Sequence, residues 1–380
     1  MKQFPKLLLH KLKLRVDNNS LRQLPNEHNL IDFASNDYLG YAKNESIFDS
    51  TNQYLISNNL KLNGATGSRL LSGNHEIYRL TEDFIANYHK SESALIFNSG
   101  YDANVGFFSA VPQRSDIILF DELCHASIRD GIQMSHAKSY KYAHNDMEEL
   151  EKLLVKFQNS IIYIVTESVF SMDGDTPNIE ELIQIAEKHT AFLVIDEEHT
   201  IGVSGIKGEG YVQYLGLQEK VFARIITFGK GLGCHGAAIL GSIELKSYLV
   251  NFARSFIYST GLSPHSVATI LVAYKQLDKD QLIIQKLKNN IVFFNQEKQR
   301  LGLKTLFAYS KSAIQCAIIP GNEQVKNIAT YLQNKGFDVK PILSPTVQEG
   351  QERLRFCIHS YNSQGEITDV LSLLATFVFN

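Results

Sequence analysis

NIEELIQIAEKHTAFLVIDEEHTIG, residues 178–202, carries a helix, a strand and a loop in one line. Asn178 is a residue type that caps helix starts, two acids follow in the first turn, and apolar residues recur behind them at helical spacing. AFLVI is then a short apolar run suited to a strand buried on both faces. DEEHTIG closes the unit with polar groups and a glycine. The texture extends in both directions, from about residue 75 to residue 245. HEIYRLTEDFIANYHK has a helical period, and ALIF, DIILF, IIYIV, RIITF and AAIL are further strand candidates. Alternating strands and helices predict an α/β fold, a mostly parallel sheet covered by helices. In such sheets ligands bind at loops beyond the carboxyl ends of the strands.

Beyond about residue 285 the pattern changes. QKLKNNIVFFNQEKQRLG reads as a helix, and SAIQCAIIP and RLRFCIHS read as strands around the helix NIATYLQNKG. This predicts a small α+β domain, with the first 45 residues packed against it. The 380 residues carry a net charge of −3, so no polyelectrolyte partner is implied, and no basic stripe suggests nucleic acid. No apolar run reaches the roughly 18 residues of a membrane span. Near the N-terminus, Lys11, Lys13 and Arg15 interrupt the leucines that a signal peptide would keep continuous, which favours a short amphipathic helix lying on the protein. The four cysteines, Cys124, Cys234, Cys316 and Cys357, form no C-x-x-C pair, which fits a reducing cytoplasm.

Five strand candidates run into polar loops: NSGYDANVGFF, DELCHASIRDG, TESVFSMDGD, DEEHTIG and GKGLGCHGAA. Each has a structural reading by itself. Ser99-Gly100 caps a helix, His125 starts one, Asp196 caps a strand end and Gly229–Gly233 makes a tight turn. Their common position suggests a shared chemistry. A helix start at Gly100 offers free N–H groups to a phosphate, and Thr227 adds a hydroxyl. Asp196 suits a protonated pyridine nitrogen, and Lys230 suits a Schiff base. Together these are the requirements of pyridoxal phosphate (PLP). The acidic string at Asp196–His199 resembles a helicase box, but no G-x-x-x-x-G-K-[ST] loop accompanies it. Gly229, Gly231 and Gly233 are a weak dinucleotide signal, and no i,i+4 His pair supports a metal at His199.

With these motifs in view, the chain resembles the α-oxoamine synthase family of fold-type I PLP enzymes. The resemblance rests on NDYLG (36–40), GATGSRLLSG (64–73), FNSGYDAN (97–104), HAS (125–127), TESVFSMDGD (166–175), DEEHTIG (196–202), TFGKGLG (227–233), YSTGLSP (258–264) and RLR (353–355). The compact length, HND at 144–146 and SAIQ at 312–315 resemble the branch that condenses L-alanine with a pimeloyl thioester in biotin synthesis. The resemblance implies a large PLP-binding domain over residues 46–285 with a mostly parallel seven-stranded sheet, a small C-terminal domain over 286–380 and an N-terminal segment over 1–45. It implies a cytoplasmic homodimer with shared active sites and an acyl group carried on CoA or a carrier protein.

The residue roles follow from the same resemblance. Lys230 is the Schiff-base lysine and the base at the substrate carbon. His125 stacks on the cofactor ring, Asp196 pairs with its nitrogen, and His199 and Ser171 approach its phenolic oxygen. Gly100, Tyr101 and Thr227 serve the phosphate. Ser259 and Thr260 reach the phosphate of the neighbouring subunit's cofactor. Arg355, with Asn36, binds the amino-acid carboxylate, with Arg353 a rival. Arg22 meets the distal carboxylate of the acyl chain. Glu198 departs from the family pattern, where a small residue packs on the cofactor face opposite the histidine. A carboxylate there faces an electronegative π-surface. A synthase using glycine or serine, such as a glycine C-acetyltransferase, and a non-catalytic protein of this fold both remain open at this point.

Overall fold

The computed structural model describes residues 4–24 and 29–379. Two compact units emerge. The larger comprises residues 36–171 and 176–287, and the smaller comprises 1–35, 172–175 and 288–380.

The large unit is built on seven strands: β1 (Ser93–Phe97), β2 (Ile117–Asp121), β3 (Lys138–Tyr142), β4 (Ile162–Glu167), β5 (Phe192–Asp196), β6 (Ala223–Thr227) and β7 (Ala237–Gly241). Their order across the sheet is β1-β7-β6-β5-β4-β2-β3. Six strands are parallel, and β7 runs antiparallel to both of its neighbours. This sheet is the one the sequence predicts. Successive residues point to opposite faces, and both faces are covered. Ile118, Val165, Val194 and Ile225 join one apolar cluster, while Ile117, Leu119, Ile164 and Ile195 join the other. Double burial explains why these strands read as unbroken apolar runs. β3 is the exception. KSYKY lies at the sheet edge with only Tyr142 buried, so no apolar run marks it.

Three helices position the site: α1 (Gly100–Ala110), α2 (Ala126–Met134) and α3 (Ile179–Lys188). Each starts on a side-chain cap. The Ser99 hydroxyl accepts from Asp102 N–H, the His125 ring from Ser127 N–H, and Asn178 from Glu181 N–H, as expected.

In the small unit, β8 (Ile314–Ile318), β9 (Lys340–Ile342) and β10 (Arg353–Cys357) form an antiparallel sheet in the order β9-β10-β8. A short parallel pair joins Ile31–Asp32 to Phe337–Asp338. The helices Asn322–Asn334 and Gln364–Phe379 complete this unit. The N-terminal helix forms over Lys6–Asp17, but it does not lie on the protein, because none of its residues is buried. The cause is legible in the spacing: Leu7, Leu8, Leu9, Leu12, Leu14 and Val16 are spread around the helix, so no single apolar stripe exists to seat. No helix among the described residues is long and apolar enough to cross a membrane.

Candidate active site

Because β1, β2, β4, β5 and β6 all run the same way, the five polar loops leave one edge of the sheet. Within the large unit this edge gathers Gly100, His125, Asp196, Glu198, His199, Thr227 and Lys230.

Lys230 lies in the turn after β6, with its side chain 14% exposed. Nζ is 2.7 Å from His199 Nε2 and 3.0 Å from Glu198 Oε2. The other ring nitrogen of His199, Nδ1, is 2.7 Å from the buried Tyr38 hydroxyl, which donates to Asn36 Oδ1 at 3.2 Å. The donor directions agree along this chain. The single Tyr38 proton goes to Asn36, so Nδ1–H donates to Tyr38 and Nε2 is left to accept from Nζ. The glycines around Lys230 serve backbone packing. A Cβ on Gly231 would stand 2.3 Å from Ile201 O, so residue 231 must be glycine for the turn to close on that strand-end loop.

Asp196 ends β5, 3% exposed. Its Oδ2 accepts from Asn104 Nδ2 at 2.8 Å, and its Oδ1 accepts from Glu198 N–H at 2.9 Å. Burial, and then the Glu198 carboxylate, push its carboxyl up to about 7. Such a group gains strongly from a cationic partner. Asn104 also donates to Ser127 Oγ at 3.0 Å, and Ser127 Oγ lies 2.7 Å from His125 Nδ1. The Ser127 backbone N–H points at the same nitrogen. Nδ1 therefore accepts, and the neutral ring carries its proton on Nε2. Burial lowers the His125 pKa, which favours the neutral ring. The His125 N–H donates to the buried Glu167 carboxylate at 2.5 Å. Burial and the neighbouring Asp196 push Glu167 up.

The residues fit a phosphorylated cofactor by two observations. Thr227 Oγ1 is buried without a hydrogen-bond partner. Beside it, Gly100 opens α1 without a side chain, where a Cβ would meet Thr227 Cγ2 at 2.7 Å. An orphan hydroxyl next to a bare helix start is a cradle for an anion. Tyr101 offers only its backbone to that cradle. Its ring is half exposed, and its hydroxyl donates to Asp130 at 2.7 Å. Ser171 is half-buried in the turn after β4. Ser259 is half-buried and Thr260 is exposed, tied by a bridge to Ser68 and by Asn98 Nδ2 at 2.6 Å.

Arg355 and Arg22 belong to the small unit. Arg353 and Arg355 stand on β10 in different surroundings. Arg353 pairs with Asp173, donates to Met172 O at 2.8 Å and to Gln351 O at 2.9 Å, and is 6% exposed. It is held as a structural residue, whereas Arg355 is half-buried. Arg22 is exposed and donates to Thr346 Oγ1 at 3.2 Å. Tyr38, Asn104 and Glu167 escaped the sequence reading. All three stand inside the quoted motifs, but their value lies in contacts made across the fold.

Residues 28–373 match the aminotransferase class I and II family. The 8-amino-7-oxononanoate synthase of Emericella nidulans is 36% identical over 372 residues, covering 92% of this chain and 89% of that enzyme. Among solved structures, the 8-amino-7-oxononanoate synthase of Francisella tularensis matches with a TM-score of 0.79 and 26% identity, over 93% of this chain and 99% of that one. A serine palmitoyltransferase from S. paucimobilis with a bound PLP-myriocin aldimine matches with a TM-score of 0.88 over 98% of this chain and 96% of that one. At 23% identity, this last likeness shows the fold. Fold and site together define a fold-type I PLP-dependent transferase. The chain belongs to the aminotransferase class I and II family and, within it, to the α-oxoamine synthases, which are PLP-dependent acyltransferases.

Proposed function

We propose that this chain condenses L-alanine with a pimeloyl thioester, with loss of CO₂, the 8-amino-7-oxononanoate synthase reaction of biotin synthesis. The observation that carries the reading is the Lys230 amine, held 2.7 Å from His199 Nε2 at the strand edge that also presents Asp196 and His125. The relatives named for this reaction support the choice of substrates. When bound, PLP supplies the electron sink for the carbanion at the substrate Cα.

The chain's own residues do the rest. Lys230 carries the cofactor and, once released, removes the Cα proton. His199 accepts from its Nζ and is held in orientation by Tyr38 and Asn36. Asp196 holds the ring nitrogen protonated, fixed in place by Asn104. The neutral imidazole of His125 covers the ring face, and Thr227 Oγ1 with the amides opening α1 takes the phosphate. On the family resemblance alone, Arg355 takes the amino-acid carboxylate with Asn36, Ser171 takes the phenolic oxygen and Arg22 takes the distal carboxylate. Ser259 and Thr260 serve a second subunit's cofactor in a homodimer. The bond between Cα and the acyl carbon forms as the thiol leaves. The carboxylate then leaves as CO₂, and Lys230 or His125 returns a proton to the carbon.

The test is CO₂ release from carboxyl-labelled amino acids offered with pimeloyl, acetyl and palmitoyl thioesters. Alanine with the pimeloyl thioester is expected to turn over fastest. Turnover of glycine or serine with another thioester, and none of alanine, would overturn the assignment.

A further inference from the structure

Glu198 has no part in the chemistry above, yet its carboxylate stands at the centre of the site. Oε2 lies 3.0 Å from Lys230 Nζ. Oε1 lies 3.1 Å from the point a Cβ on Gly100 would occupy, so the carboxylate also reaches the bare opening turn of α1. One side chain thus spans the two places where an anionic aldehyde must bind: the nucleophilic amine and the anion cradle beside the orphan Thr227 Oγ1. The side chain is 19% exposed, so it has an open side toward which to move. Its backbone is pinned, because Glu198 N–H donates to Asp196 Oδ1 at 2.9 Å.

We propose that the Glu198 carboxylate is an internal stand-in for the cofactor's phosphate and the counter-ion of Lys230, so that loading this enzyme with PLP is a displacement. The proposal rests on the reading of Lys230 as the imine-forming lysine. Imine formation uses the lone pair of Nζ. The nitrogen bonds to the aldehyde carbon, the aldehyde oxygen leaves as water, and any proton held between Nζ and the carboxylate must leave first. The phosphate must likewise replace one anion with another at α1. The charges surrounding Glu198 favour its departure once a second anion arrives: Asp196 on its own strand end and Glu167 on β4 repel it, and Lys230 is the cation that holds it.

The test measures PLP association by the visible absorbance of the bound cofactor, with borohydride trapping to confirm the covalent bond, in the full chain and in Glu198→Ala and Glu198→Gln. Losing a charge-assisted contact that competes with the ligand is expected to tighten PLP binding about tenfold and to quicken loading in both variants. Glu198→Gln keeps size and fold while removing the charge, and thermal unfolding checks that it does. Inorganic phosphate is expected to slow PLP loading more in Glu198→Gln than in the parent, because the cradle is then open to it. Equal or weaker PLP binding in both variants overturns the proposal, as does a gain confined to Glu198→Ala, which would make bulk the cause. If no form of the chain, parent or variant, traps PLP on Lys230, the parent reading fails instead and takes this proposal with it.

Discussion

Arg353 and Arg355 stand two residues apart on β10, so they share a face, yet they are predicted to fail differently. Arg353→Ala strands Asp173 and empties three contacts of a buried guanidinium. It should cost about 3 kcal/mol in a urea titration. Arg355→Ala should cost less stability and instead raise KM for the amino acid about tenfold, read from initial rates. Asp196 gives a prediction in pH. Its folded pKa, about 7, lies above the ordinary 3.8. Its contribution to stability is therefore fully present below the ordinary value and is lost as pH rises through about 7. Without PLP, Asp196→Asn should gain stability relative to the parent across that window, as followed by thermal unfolding. A parallel pH dependence of the two proteins would contradict the assignment. At this scale the gathering of Lys230, His199 and Asp196 at one loop edge was legible, because each follows a strand candidate in a polar motif. The reach of Glu198 to Lys230 was not, since a string of letters gives side-chain identity without direction.

At the scale of elements, the start of α1 is where local folding and cofactor binding meet. The Ser99 cap predicts that Ser99→Ala costs about 1 kcal/mol, measured by denaturant unfolding. Gly100→Ala places a Cβ against Thr227 Cγ2, and it should weaken PLP affinity about tenfold or more while the far-UV signal is retained. Six of the seven large-sheet strands could be read from sequence because burial on both faces leaves unbroken apolar runs. β3 could not, since an edge strand with solvent on its sides carries lysines and serine. The N-terminal helix was legible as a helix but not as an exposed one. Leucines invite a seat on the protein, and only their angular spread around the helix argues against it.

For the whole molecule, the exposed helix Lys6–Asp17 predicts that removing it shifts the unfolding temperature by no more than about 2 °C, because none of its residues is buried. The proposed sharing of Ser259 and Thr260 between subunits predicts a dimer in sedimentation velocity at micromolar concentration. Full activity in a monomer would contradict it.

The whole proposed reaction turns on Lys230 as the residue that carries the cofactor. Borohydride reduction of the PLP-loaded protein followed by peptide mass spectrometry tests it most directly. A single reduced pyridoxyl-phosphate adduct is expected on the peptide containing Lys230, absent in Lys230→Ala. An adduct on another lysine, or none in the parent chain, would contradict it.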